Sequence, residues 1–216
     1  KGFQFTGINP QTGIPEFLDV DKDGNISSPN DYVVLGETMP QFFGGLNNEI
    51  TYKNFTLNFF FQFVKQESIT QDWGPLSVVP GSLNNDDVAM RNRWRADGDI
   101  TNIPRPSATS SNAANTAYRN FYRSSSAAWG DASYIRLKTL SLAYDLTRQV
   151  KRWHISSASV FVQGQNLLTF TNYNGLDPEI NGFDRRFVFP INPFGSVKTQ
   201  AVPVLKTITV GLRLAL

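Results

Sequence analysis

The chain has 216 residues, of which 40% are hydrophobic and 13% aromatic, with a formal net charge of +2 and no cysteine. This composition excludes disulfides, thiolate metal sites and cysteine nucleophiles. It also lacks a basic stripe that would bind nucleic acid and the roughly 18 consecutive apolar residues of a membrane helix. Any membrane span must therefore be made by β-strands.

Taken in chain order, the sequence alternates between strand-like stretches and polar connections. We expect six spanning strands, at residues 2–9, 42–52, 55–64, 134–146, 155–168 and 205–216. The second and third form a hairpin around Lys53 and Asn54. In the third, an apolar row faces one way and a polar row the other. The apolar row is Phe55, Leu57, Phe59, Phe61 and Phe63, and the polar row is Thr56, Asn58 and Gln62.

The last stretch has the clearest alternation, because side chains of a strand change face at every residue. One row is Ile208, Val210, Leu212, Leu214 and Leu216, and the other is Thr207, Thr209, Gly211, Arg213 and Ala215. An apolar row against lipid and a polar row against a wet interior are typical of a membrane β-barrel. A strand of a soluble sandwich has the same pattern, so one strand alone leaves both folds open.

The connections alternate between short and long. Barrels of the outer membrane have short periplasmic turns and long extracellular loops. Residues 53–54 and 147–154 are therefore expected in the periplasm, and residues 10–39, 69–132 and 169–201 outside the cell. The smallest barrels have about eight strands, so six strands cannot close a barrel alone. Because an open sheet edge is costly in lipid, we expect the chain to be part of a longer protein.

Several motifs follow one another in an order that resembles a known family. They are Asp19 to Ile26 (DVDKDGNI), Leu35–Gly36, Pro40 to Leu46 (PQFFGGL), Arg93–Trp94 with Ile103 to Pro106 (IPRP), Asp131 to Lys138 (DASYIRLK), Gly164 to Leu167 (GQNL) and Gly175 to Glu179 (GLDPE). Together they resemble the C-terminal part of the SusC/RagA family of TonB-dependent outer-membrane transporters. The terminal Leu216 departs from this resemblance, since an aromatic residue is usual there.

The resemblance implies an all-β fold, in which about six antiparallel strands form the C-terminal portion of a 22-stranded transmembrane barrel. Residues 1–216 would be that segment, with the plug and the TonB-contacting segment outside it. The implied function is import of glycans or peptides with TonB energy, in the outer membrane of a Gram-negative bacterium of Bacteroidota type. The implied partners are the rest of the barrel, a SusD-type surface lipoprotein, the TonB complex, membrane lipid and an oligosaccharide or peptide cargo.

An acidic loop is the best-defined chemical feature. Calcium takes six to eight oxygen ligands, and clustered carboxylates repel one another unless a cation lies among them. Gly24 allows a sharp turn, and Ile26 resembles the apolar anchor of calcium loops. We expect a Ca²⁺ ion to be held by Asp19, Asp21, Asp23, Asn25 and Asp31. A solvated acidic turn is the alternative.

Aromatic side chains of the outer loops are candidates for contact with cargo or a lid, because rings stack on sugars and pack against peptides. They are Trp73, Trp94, Tyr118, Phe121, Tyr122 and Trp129. Packing within the loops explains them equally well.

Charged and amide side chains on the strands should face the lumen, since a charge on the lipid face costs about 2–4 kcal/mol at mid-membrane. These are Arg136, Lys138, Arg213, Gln163, Gln165 and Asn166. His154 is the single histidine and lies in a basic turn. Without a second histidine or a nucleophile motif, we expect no enzyme.

Three other functions compete with a SusC-type importer. A TonB-dependent receptor for siderophores has the same kind of wall, as does a porin. A soluble calcium-binding β domain that recognises carbohydrate would have the acidic loop but must also explain the apolar row from Phe55 to Phe63.

Overall fold

The computed structural model describes residues 1–37, 39–69, 81, 88–109, 112–173, 177–179 and 203–215. Five long strands form one antiparallel sheet, in the spatial order β11, β10, β9, β6 and β5. Their bounds are β5 Phe42–Tyr52, β6 Phe55–Lys65, β9 Tyr134–Asp145, β10 Ser157–Thr171 and β11 Thr207–Ala215. No helix in the described ranges is long and apolar enough to cross a membrane.

The strand register carries one apolar face across the whole sheet. Residues directly opposite each other share a face, so each row can be followed from β5 to β11. One row is Tyr52, Phe55, Tyr144, Val160 and Leu212, and the next is Ile50, Leu57, Leu142, Val162 and Val210. Val210 is 72% exposed, because no described element covers this face.

The opposite face of the sheet is mainly polar, although Phe60 and Phe161 also lie on it. Its rows include Glu49, Asn58, Ser141, Gln163 and Thr209, and, nearer the end with the long connections, Gly45, Gln62, Arg136 and Thr169. The predicted division of Thr56, Asn58 and Gln62 from Phe55, Leu57 and Phe63 is therefore confirmed. A sheet with one apolar and one polar face separates two environments.

Two β-bulges interrupt the strand register, but the apolar and polar rows stay on their own faces. β9 has an extra residue opposite the step from Phe60 to Phe61, and β10 has one between Gln165 and Leu168. Asn166, in the second bulge, has a left-handed φ of 53°. At a bulge, one strand has one residue more than its neighbour. The apolar and polar rows beyond the bulge therefore stay on their own faces of the sheet.

Among the described residues, five long strands form this sheet where six were expected, because residues 2–9 do not join it. They form β1 (Gly2–Phe3) and β2 (Phe5–Ile8), which pair with β4 (Tyr32–Val33) and β3 (Pro15–Phe17) in two small ribbons. A transmembrane strand needs about 9–11 residues. This stretch is shorter and is interrupted at Gln4.

The long connections form a cluster of their own around aromatic rings. Phe3 packs edge-on against Tyr32 and Phe121, with ring centroids 4.8 and 5.1 Å away, and Tyr122 packs against Phe5 at 5.2 Å. A short helix, α1 (Ala113–Asn120), begins at Asn112, whose side chain accepts a hydrogen bond from the amide of Ala114. The connections therefore have a core that does not depend on the sheet.

A ribbon links this cluster to the sheet. β7 (Glu67–Ile69) pairs with β8 (Trp129–Asp131), and these strands continue β6 and β9 beyond the sheet. Three short 3₁₀ turns lie in the same connection, at Val88–Asn92, Tyr122–Ser124 and Ser126–Ala128. At the opposite end of the sheet, β5 and β6 join at residues 53–54. There, β9 and β10 join through α2 (Thr147–Val150) and a 3₁₀ turn at Lys151–Trp153.

Candidate functional site

A cluster of charges around the buried Arg136 lies on the polar face of the sheet, at the end that carries the long connections. The Arg136 guanidinium donates from Nη2 to Asp177 Oδ1 at 2.6 Å and from Nη1 to Glu179. Lys138 Nζ donates to Glu179 Oε1 at 2.6 Å and to Oε2 at 2.7 Å. The Arg136 Nε also donates to Thr169 Oγ1 at 2.9 Å. Two cations of β9 are thus matched by two carboxylates of the β10–β11 connection.

Arg136 is only 2% exposed, although it lies on the polar face. A guanidinium removed from water in this way requires carboxylate partners and satisfied donors. Tyr134 contributes a second kind of contact, since its ring centroid lies 5.3 Å below the Arg136 guanidinium carbon. Arg136 is therefore a structural charge and does not line open water, whereas Lys138 is partly exposed.

The same carboxylates fasten both ends of the connection to the wall. Asp177 accepts hydrogen bonds from the amide of Glu179 at 2.9 Å and from that of Val204 at 3.2 Å. Gln66 Nε2 donates to the carbonyl oxygen of Pro178 at 2.5 Å. Residues 177–179 are consequently held against β9 and against the start of the last strand segment.

Sequence reasoning placed Arg136 and Lys138 on the lumen side but missed their partners. The missed signal was spacing: two basic residues two apart on β9 and two acids two apart in the Gly175–Glu179 motif. The sequence indicated only that this motif resembles a family, and it predicted no contact for Asp177 or Glu179. Residues 174–176 lie outside the described residues.

The acidic loop brings three of its predicted ligands together. Carboxylate oxygens of Asp19, Asp21 and Asp31 all lie within 4.8 Å of one another. The Asp23 carboxylate is outside this group, and its Oδ1 accepts a hydrogen bond from the Asn25 amide at 2.7 Å. Asp31, which follows the other acids by eight residues or more in the sequence, therefore joins the cluster.

Asp31 is fully buried, and hydrogen bonds hold its carboxylate in place. Its Oδ2 accepts from the Ser27 amide and its Oδ1 from the Val20 amide, each at 2.7 Å. These hydrogen bonds lower the pKa of Asp31 below its usual value, because they stabilise the charged form. Asp19 accepts from the amides of Lys22 and Gly24 at 2.7 and 2.8 Å. The carboxylate oxygens of Asp19 and Asp31 are thus held in place by the backbone of the loop.

Two of the aromatic candidates are buried within the aromatic cluster of the long connections. Tyr118 is 1% and Tyr122 2% exposed, and their rings stack with centroids 5.2 Å apart. Burial raises the pKa of Tyr122 well above its usual range, since it disfavours the charged form. Burial favours packing within the loops for these two rings, the alternative that the sequence left open.

The other aromatic candidates, three tryptophans and Phe121, differ in their surroundings. Trp94 and Trp129 are half-buried, and the Trp94 indole donates to the carbonyl oxygen of Pro10 at 2.8 Å. Phe121 packs on Phe3 and Phe17. Trp73 lies outside the described residues. Contact of Trp94 and Trp129 with cargo stays a prediction.

Arg213 and Asn166, which were also predicted to face a lumen, have contacts within the sheet and its connections. The Arg213 guanidinium carbon lies 4.5 Å from the centroid of the Phe161 ring. Asn166 donates to the carbonyl oxygen of Leu205 at 3.1 Å. His154 is exposed and ends the 3₁₀ turn with a left-handed φ of 61°. Among the described residues it meets no carboxylate and hydroxyl that could act with it as a general base.

Comparison with known proteins adds relatives to this geometry. No protein-family model matches the chain. The chain is 32% identical over 196 residues to TonB-dependent receptor P3 of Formosa agariphila, covering 83% of this chain and 18% of that receptor. TonB-dependent receptor P26 of the same organism is 29% identical over 216 residues, covering 94% of this chain and 20% of that one.

Solved structures agree in fold. The RagAB peptide importer in its open-open state matches with a TM-score of 0.65 and 25% identity, covering 82% of this chain and 19% of that one. Its closed-closed state matches with a TM-score of 0.63 and the same identity. The chain is thus homologous to one segment of TonB-dependent receptors and shares the fold of one segment of the RagAB importer.

The chain spans about a fifth of the length of the relatives that it matches. The predicted antiparallel all-β fold is confirmed by the RagAB likeness and by the five-stranded sheet. The relatives are receptors and importers, which supports a role other than that of an enzyme.

Proposed function

We propose that the segment forms part of the wall and three outer connections of an outer-membrane importer that is energised through TonB. The observation that carries this proposal is the continuous apolar face from β5 to β11, opposite a face that bears Glu49, Asn58, Gln163 and Arg136. In lipid, the apolar face replaces water contact with contact to acyl chains, and the polar face lines a wet lumen. Residues 1–216 are the C-terminal segment of that barrel, with the plug and the TonB-contacting segment elsewhere in the protein.

The proposed orientation follows from the connections. The short turns at one end of the sheet lie in the periplasm, and the aromatic cluster at the other end lies outside the cell. The cargo is an oligosaccharide or a peptide, and a SusD-type lipoprotein is the partner at the outer end. The RagAB structures, described as a peptide importer, support a peptide among these two cargo classes. Trp94 and Trp129 are the candidate contacts with cargo or partner.

The acidic loop fits a structural calcium ion in this proposal. Asp19, Asp21 and Asp31 supply hard oxygen ligands, which Ca²⁺ prefers. An extracellular site with a dissociation constant of roughly 10⁻⁴ M is filled at millimolar Ca²⁺. The ion would order the loop and take no part in transport chemistry.

Paired substitutions on the last strand test the membrane location. Val210 lies on the apolar face and Thr209 on the polar face, one residue away. In the full-length receptor, we expect Val210→Arg to reduce assembly into the outer membrane, since arginine at mid-membrane costs about 2–4 kcal/mol. Thr209→Arg should assemble like the unaltered receptor.

Assembly is measured as the heat-modifiable fraction in isolated outer membranes. Equal assembly of the two variants would mean that this face does not meet lipid, and it would overturn the proposed function.

A further inference from the structure

The two short turns form one continuous rim at the end of the sheet. The Asp145 amide donates to the carbonyl oxygen of Asn54 at 2.8 Å, and Asn54 Nδ2 donates to the carbonyl oxygen of Asp145 at 3.0 Å. These hydrogen bonds join the β5–β6 turn to the start of the β9–β10 turn. Groups carried by the two turns are therefore held beside each other.

Four cations lie on this rim, which we call the short-turn rim. They are Lys53, Arg148, Lys151 and Arg152, and all four are exposed. Among the described residues, none of them lies within ion-pair distance of a carboxylate. Asp145 is the acid of this turn, and its Oδ1 accepts from the Thr147 amide. The short-turn rim thus carries a net positive charge of about three, whereas the charges at the outer end of the polar face are paired.

Two exposed aromatic rings accompany these cations. The Lys53 ammonium lies 5.3 Å from the Tyr52 ring centroid, and the Arg152 guanidinium carbon lies 5.0 Å from that of Trp153. Tyr52 is 67% and Trp153 59% exposed. Tyrosine and tryptophan with basic neighbours are typical of the level of lipid headgroups, where one side is apolar and the other wet.

The apolar face begins directly above the short-turn rim. Tyr52 heads the row that continues through Phe55, Tyr144, Val160 and Leu212, and the Phe55 and Tyr144 rings lie 4.7 Å apart. A ligand that suits this surface has an anionic head and an apolar body. The positive charge of the rim favours an anionic head on the ligand, and the row of apolar side chains favours an apolar body.

We propose that the short-turn rim binds an anionic glycerophospholipid of the inner leaflet, with the phosphate on Arg148, Lys151 and Arg152 and the acyl chains on the apolar face. The inference rests on the proposed membrane location. It predicts a preference for phosphatidylglycerol over zwitterionic phosphatidylethanolamine. Each cation near an anionic surface adds about a factor of five in binding.

The test uses the purified full-length receptor in detergent, titrated with either lipid and examined by native mass spectrometry. The unaltered receptor should retain phosphatidylglycerol several-fold better than phosphatidylethanolamine. Substitution of Arg148, Lys151 and Arg152 together by glutamine should lower phosphatidylglycerol retention by at least about tenfold. A matched variant replaces three exposed cations at the other end, Lys1, Lys22 and Arg91, by glutamine and should retain the lipid normally.

Three results would overturn the proposal. One is equal retention of the two lipids by the unaltered receptor, which decides the matter even if the triple variant does not fold. Another is equal loss in the triple variant and in its matched control. The third is full displacement of the lipid by equimolar glycerol 3-phosphate, which would assign the rim to a free anion. If the receptor is heat-modifiable in each case, the membrane location survives and only the lipid site fails.

Discussion

At the scale of single residues, Arg136 shows how a charge can be enclosed in the wall of a barrel. Its guanidinium is matched by Asp177 and Glu179, and Thr169 satisfies Nε. The neighbouring Lys138 shares Glu179, so two positive and two negative groups balance. Such a cluster contributes more to the position of residues 177–179 than to attraction of solutes, because its charges cancel.

We predict that Arg136→Met destabilises the receptor by about 3–5 kcal/mol, since it leaves the buried Asp177 without its cation. The control is Lys65→Met, which breaks the Lys65–Asp131 pair of 3.1 Å, where both side chains are exposed. That change should cost about 1 kcal/mol or less. The measurement is urea unfolding of the full-length receptor in detergent, together with proteolysis of the β10–β11 connection. Similar losses in the two variants would contradict a buried, structural role for Arg136.

The burial of Arg136 could not be predicted from the sequence. Alternation along β9 placed its side chain on the polar face, because strand periodicity is local. Its partner Asp177 is separated from it by an intervening turn, a strand and the start of a loop, so their pairing depends on tertiary structure. The same reasoning applies to Tyr122, whose ring packs between Phe5 of β2 and Tyr118 of α1, far apart in sequence from Phe5.

At the scale of elements, the long strands were predictable and the short ones were not. The expected hairpin at 42–52 and 55–64 matches β5 (Phe42–Tyr52) and β6 (Phe55–Lys65) closely. An alternating row over 11 residues is a strong signal, since it reflects two different environments. Residues 2–9 also alternate, but their aromatic rings pack in the cluster formed by the long connections. There, the thickness of a membrane does not set the length of a strand.

The acidic loop is the element whose order we expect to depend on an ion. In the full-length receptor, millimolar Ca²⁺ should protect residues 17–33 from proteolysis, and a chelator should remove the protection. Asp21→Asn removes one exposed carboxylate of the cluster while keeping an oxygen that can accept from the Asp23 amide. This variant should lose the protection but still assemble in the membrane.

A matched control for this experiment is Asp97→Asn, an exposed acid elsewhere in the outer connections. It should respond to Ca²⁺ like the unaltered receptor. A cleavage rate that is the same with calcium and with chelator would mean that the carboxylates are merely solvated.

At the scale of the whole molecule, three zones follow one another along the strands. The end with the long connections has an aromatic core and a balanced charge cluster, and the middle has one apolar and one polar face. The short-turn rim has exposed rings and cations that form no ion pair within the described ranges. In the proposed orientation, these zones match the successive environments of an outer membrane, from the cell exterior through lipid to the periplasm. Both edges of the described sheet, β5 and β11, lack a partner strand, as expected where further strands continue the wall.

The central claim is that one face of this sheet meets lipid and the other meets water. Single cysteines at 207–214, each labelled with an environment-sensitive fluorophore, test it directly in the assembled full-length receptor, because residues 1–216 contain no cysteine of their own. Brominated lipid should quench the label at 208, 210, 212 and 214, and a water-soluble quencher should act at 207, 209, 211 and 213. Quenching without this period of two would contradict the claim.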